Sequence, residues 1–249
     1  MQKREQKENG FTFIEVMVSM VISSFIFAGI YGVYSIQQRS YTVQEQVSEM
    51  QQKGRAALAF MVRDIRMAAY NDPDGNCTSG SSTNWSNWNA QSTTFSFDTC
   101  LPGDTAPVKV EYGLYDAYAV SGGNDGLDND LYRSIDGGNK QLVAEGLDAV
   151  EFHYILDEVP ANPGVYPTAT SVTVAADIER IRSVRISLLM RSTYPDIKYT
   201  DEVQHIPASG ATNWGIISKA ATPGTLLLPW YNYHRRLLIT TVKMRNMGL

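Results

Sequence analysis

Residues Gly10 to Ile36 read GFTFIEVMVSMVISSFIFAGIYGVYSI, and this stretch decides the class of the chain. From Phe11 to Ile36 every residue is apolar or small except the carboxylate Glu15. About 26 residues at ~1.5 Å each make a helix of ~39 Å, enough to cross a hydrocarbon core of ~30 Å with some tilt. Lys3, Arg4 and Lys7 precede the run, and Arg39 is the nearest basic residue after it. That bias places the N-terminus in the cytoplasm and the remainder outside. A secretory signal peptide would have a shorter apolar region and a small-residue cleavage site, and it would not carry an acid five residues into the run. A carboxylate buried in a membrane helix is costly, so Glu15 reads as a functional residue; the plainer reading leaves it at headgroup level.

The helical pattern continues past the span. Val43, Val47, Met50, Gly54, Leu58, Met61, Ile65 and Ala68 recur every three or four residues and form one apolar stripe. Glu49 precedes Lys53 by one helical turn, the favourable orientation for an ion pair. Asn71-Asp72-Pro73-Asp74-Gly75 then ends the helix. The pattern predicts a helix from Phe11 to Tyr70, ~90 Å long. Its first half, 11–36, is the span; its second half, 37–70, covers a sheet.

Beyond residue 71 the chain turns β-rich. Val108, Val110, Tyr112 and Leu114 alternate with more polar residues, as do Phe152, Tyr154 and Leu156 with Glu151 and His153. Val184, Ile186, Leu188 and Met190 form one face of a strand over Ser183–Arg191, and a last strand includes Leu237 to Met244. Such alternation predicts an antiparallel sheet with one buried face and one solvated face. Connections rich in Gly, Asn, Ser and Pro lie near 71–107, 119–130, 157–175 and 207–224. The fold class is therefore α+β, with an extracytoplasmic β-rich domain over 71–249.

Composition fits a folded protein, with 43% hydrophobic and 19% charged residues. A net charge of -5 argues against a general nucleic-acid binder. Cys77 and Cys100 are the two cysteines. They suit a disulfide once the domain lies outside the cytoplasm, and two free thiols are the alternative. Without a CxxC or a Cys/His cluster, a structural zinc site has no support.

The segment Gly10-Phe11-Thr12-Phe13-Ile14-Glu15-Val16 resembles the type IV prepilin processing signal, with Phe13 where leucine is commoner. The resemblance implies that residues 1–10 are a leader, cut between Gly10 and Phe11 by a membrane prepilin peptidase, with methylation of the new Phe11 amine. It further implies that Glu15 pairs with an N-terminal amine during assembly. Two opposite charges in a dry helical bundle are tolerable together where either alone is not. The blocks QQKGRAALAFMVRDIRMAAY (Gln51 to Tyr70), LYRS, QLVAEGLDAVEFHYIL, IRSVRISLLMRS and HRRLLITTVKMRN (His234 to Asn246) are similar to PilW-type minor pilins. Related patterns occur in the J-type minor pseudopilin of type II secretion. The implied fold is that of type IV pilins, a long N-terminal helix packed on an antiparallel sheet. The implied role is a minor pilin that helps initiate a pilus within a tip complex, its partners being other minor and major pilins in the inner membrane and then the pilus.

Asp125, Asp128 and Asp130 crowd a Gly-rich loop, the sort of hard-oxygen set that Ca²⁺ uses, although the spacing is not that of an EF-hand; a solvated turn is the competing reading. Trp85 and Trp88 either touch a receptor or close a small core beside the cysteines. His153, His205 and His234 are scattered, with His153 expected on the solvent face of its strand, and Arg235-Arg236 reads as a strand-face pair. No nucleophile-elbow, zinc-protease, P-loop or dinucleotide motif occurs, so no enzyme is expected. The rival readings are a type II secretion pseudopilin, a tip adhesin using the 71–107 loop, and a bitopic membrane enzyme.

Overall fold

A computed structural model describes residues 11–71, 77, 88–100, 104–115, 130–159, 164–210, 214 and 232–246. The chain divides into two compact units, Met1–Glu45 and Gln46–Leu249, and the first helix, α1 (Phe13–Arg66), runs from one into the other. In the first unit almost every side chain of the helix from Phe13 to Glu45 is exposed.

In the second unit the same helix buries a stripe of Met50, Gly54, Ala57, Met61 and Ile65. The three-and-four spacing is the predicted one, except that Ala57 takes the buried place expected of Leu58, which is half-buried against the core. The helix stops at Arg66, four residues earlier than the predicted Tyr70, because another element takes its last polar groups. Ala69 adopts a left-handed conformation (φ 57°), and its N–H donates to the Asp98 carbonyl at 2.8 Å. The Thr99 hydroxyl donates to the Met67 carbonyl at 2.7 Å, and Cys100 N–H to the Tyr70 carbonyl at 3.1 Å. Orphan carbonyls at a helix end need such partners.

Among the described residues, two antiparallel sheets complete this unit. The five-stranded sheet runs in chain order: β1 (Asn89–Ala90), β2 (Phe95–Thr99), β3 (Val108–Tyr115), β4 (Asp130–Ile135) and β5 (Gln141–Ala144). The four-stranded sheet has the order β7-β6-β8-β9, formed by β6 (Leu147–Leu156), β7 (Thr168–Ala169), β8 (Ile181–Arg191) and β9 (Arg235–Lys243). A one-turn helix, α2 (Ala175–Ile178), precedes β8. The core joins the helix stripe to Phe95, Phe97, Tyr112, Leu131, Phe152, Tyr154, Ile186 and Leu188.

The structure corrects the sequence reading in three places. The stretch 71–107 is not all connection, since it contains β1 and the wholly buried β2. Likewise 157–175 contains β7. The face opposite the helix is not solvated either: Glu151, His153, Ser187 and Leu189 are 3%, 6%, 0% and 2% exposed. Residues 192–210 fold back over this face. There Ala208 N–H donates to Ser187 Oγ at 3.0 Å and Ser209 Oγ to Glu151 Oε1 at 2.6 Å. His153 is thus a buried residue, not a surface one.

Candidate functional site at the start of the helix

Thr12 precedes the first helical residue and acts as its N-cap. Its hydroxyl accepts the Glu15 N–H at 3.4 Å, while the Glu15 carboxylate accepts both the Thr12 N–H and the Thr12 hydroxyl at 2.8 Å. This is a capping box, in which two backbone donors that the helix leaves over are satisfied reciprocally. A negative charge here also faces the positive end of the helix dipole. The predicted helix start at Phe11 therefore moves to Phe13. Phe11 lies before the cap, 89% exposed, and Gly10 lies outside the described residues.

The apolar run beyond the cap has its own polar atoms folded away. Ser19, Ser24 and Ser35 donate to the carbonyls of Val16, Val21 and Gly32 at 2.8, 2.7 and 2.8 Å. Hydroxyls tied to the preceding turn are what a helix needs where no water is available. The helix is long and apolar enough to cross a membrane, and none of its apolar window is buried within the chain. Phe13, Phe25, Phe27 and Tyr31 are each at least 70% exposed. A Cβ added at Gly29 or Gly32 would meet no atom of the chain, so intrachain packing does not require these glycines. What the sequence reading missed here is the Thr12 partnership; the signal was present as Thr-x-x-Glu at the mouth of the run.

The remaining candidates lie elsewhere. Cys77 and Cys100 form a disulfide with Cα atoms 5.9 Å apart. Trp88 is buried against Phe95 and Phe97, with ring centroids at 6.0 and 6.2 Å, and so is a core residue; Trp85 lies outside the described residues. Asp125 and Asp128 also lie outside them, and Asp130 begins β4 opposite Tyr115. Among the described residues no group of three or more His, Cys, Asp or Glu could hold a metal ion.

The histidines serve structure in the covering segment. His205 Nε2 is 3.4 Å from Asp201, and His234 Nε2 is 3.5 Å from Asp196 with its ring stacked on Tyr199. Arg235 bonds Asp148 and reaches Asp201 at 3.3 Å, and Arg191 approaches Asp148 at 3.5 Å. This layer of charges fastens 192–210 to the sheet. Sequence alone gave no sign of it, because its members are scattered over some 90 residues.

Two family models match the chain. The model of type IV pilus-assembly protein W matches residues 117–246, and the prokaryotic N-terminal methylation motif matches residues 6–31. No curated protein matches in sequence. Among solved structures, a type IV-like pilin from Thermus thermophilus is similar with a TM-score of 0.41 and 11% identity, over 80% of this chain and 98% of that one.

Proposed function

Because the chain belongs to the type IV pilus-assembly protein W family, we propose that it is a minor pilin that primes pilus assembly within a complex at the filament tip. The observation that carries the reading is the methylation motif, set against a capped helix whose apolar window is buried nowhere within its own chain. Such a surface requires a lipid or a bundle of other helices around it.

In this reading the inner membrane holds the precursor, with its β-rich unit outside the cytoplasm. The prepilin peptidase cuts between Gly10 and Phe11, and the new Phe11 amine is methylated. That amine lies one residue before the cap and four before Glu15. The Glu15 carboxylate is meanwhile kept hydrogen-bonded by Thr12, which lowers the cost of taking it out of water. On assembly an N-terminal amine from this or a neighbouring subunit neutralises it. The family match favours a pilus over a secretion pseudopilus. The adhesin reading has less of its proposed surface to use, since the strand β2 within 71–107 is buried.

The test joins chemistry to assembly. Mass spectrometry of the chain from its native membrane is expected to find an N-methylated Phe11 at the start. Glu15→Leu is expected to enter the membrane normally and to lower piliation about tenfold or more, as a lost charge pair in a dry interface would. An intact MQKREQKENG terminus, or normal piliation by Glu15→Leu, would overturn the reading.

A further inference from the structure

Sheet edges expose unpaired backbone groups, and proteins blunt them with short strands, bulges or charge. Among the described residues there are four edges, and three of them follow that rule. β1 and β7 are two residues long, and β5 has four residues and a register shift beside it. β9 does not. It is nine residues long, pairs with β8 in unbroken register, and among the described residues has no strand on its other side.

The register shows which groups are unpaired. The His234 carbonyl accepts the Ser192 N–H at 2.8 Å, and Met244 N–H donates to the Arg182 carbonyl at 3.0 Å. Hydrogen-bonded pairs alternate in an antiparallel ladder, so the even-numbered residues of β9 bond β8. The N–H and C=O of Leu237, Ile239 and Thr241 therefore face the open edge. Ile239 is also 49% exposed on its side chain. The segment from Leu237 to Val242 carries no charge and is rich in β-branched residues. Exposed basic residues flank it: Arg236 on one side, Lys243 and Arg245 on the other.

We infer that β9 is a docking edge for an extended segment of a neighbouring pilus subunit, with β-branched residues in the middle and acidic residues at both ends. Main-chain bonds to Leu237, Ile239 and Thr241 would supply affinity, and the basic ends would supply selection. A second copy of this chain is the wrong occupant. Antiparallel two-fold pairing of β9 about Ile239 sets Arg235 opposite Lys243 with the exposed Arg236 beside it, so that the basic ends of the two copies meet and repel. That the neighbour is a pilus subunit rests on the assembly role proposed above, but the docking chemistry does not.

The probes are two synthetic peptides, EEVTVTVEE and KKVTVTVKK, titrated into the full chain in detergent micelles. The acidic peptide is expected to bind and to slow amide exchange at Leu237, Ile239 and Thr241. The lysine peptide should bind at least about tenfold more weakly. Proline at an edge position removes only the outward N–H, so Ile239→Pro should keep the fold and lose about tenfold in affinity. Ile239→Thr, which keeps the N–H, should bind within about twofold of the parent, and circular dichroism with thermal melting checks that both variants are folded. If Ile239→Pro misfolds, the exchange pattern of the parent still decides. The proposal falls if the two peptides bind alike or not at all, if a folded Ile239→Pro binds as the parent does, if the three amides are already protected in the free chain, or if they become protected by self-association. A processed N-terminus with no peptide binding would sink the docking edge alone. Peptide binding by an unprocessed chain would sink the assembly role alone.

Discussion

Asp64 shows how one carboxylate can tie the helix to a sheet. Its Oδ2 accepts the Tyr112 hydroxyl at 2.6 Å and Arg133 Nε at 2.7 Å, and the Arg133 guanidinium lies 5.6 Å above the Phe60 ring. Burial, reinforced by the carboxylate it bonds, pushes the Tyr112 phenol far above its usual range. Asp64→Ala would strand both donors, and denaturant unfolding should show a loss of about 3 kcal/mol. Tyr112→Phe, which removes only the hydroxyl, should lose about 1 kcal/mol. His153 gives a second test at this scale. Burial pushes its imidazole below the ordinary value; Glu151 opposes the shift and Arg185 adds to it. Above the ordinary histidine value of about 6.5, folded and unfolded chains are both neutral at this position and nothing is lost. As pH falls through that value the unfolded chain takes up a proton first, so stability drops by at most about 1.4 kcal/mol per pH unit until the folded-state value is passed. Stability measured between pH 7 and 5 should fall less steeply in His153→Asn.

Among the elements, α1 approaches β8 and β9 closely at Gly54. A Cβ at Gly54 would come within 2.4 Å of Leu238 Cδ1 and 3.0 Å of Met190 Cγ. Gly54→Val should therefore destabilise the chain by about 2–3 kcal/mol by overpacking. Adding Leu238→Ala should recover part of that loss, so that the double variant is more stable than the two single effects would sum to. The sequence had marked Gly54 only as a small member of an apolar stripe. Strands β3, β6, β8 and β9 were legible because their large aliphatic and aromatic residues fall on one face, every second position. β2 was not, although Phe95 and Phe97 alternate, because five residues inside a Ser/Asn/Thr-rich run look like a connection. The solvated outer face expected of the second sheet was wrong for a different reason. Glu151 and Ser187 are buried by partners near residue 208, and local pattern carries no trace of such distant pairing. The helix start was legible to within two residues, and the capping box explains the difference.

At the scale of the whole molecule, the N-terminal unit exposes an apolar surface along its helix, and the second unit is held by its core and by the Cys77–Cys100 crosslink. Reducing the Cys77–Cys100 bridge should lower stability by roughly 3 kcal/mol, measured by denaturant unfolding with and without reductant. That bridge has a mechanical consequence as well. A pull applied to α1 travels along the backbone to Cys77 and then crosses the sulfurs to Cys100, at the end of β2, bypassing a loop of sequence separation 23. At ~3.4 Å per extended residue, the oxidised chain withholds roughly 80 Å of contour length from tension. Single-molecule stretching of the reduced chain should release it. In a subunit hauled by its helix, the crosslink thus carries the load past β1 and β2 once the hydrogen bonds between 67–70 and 98–100 have parted.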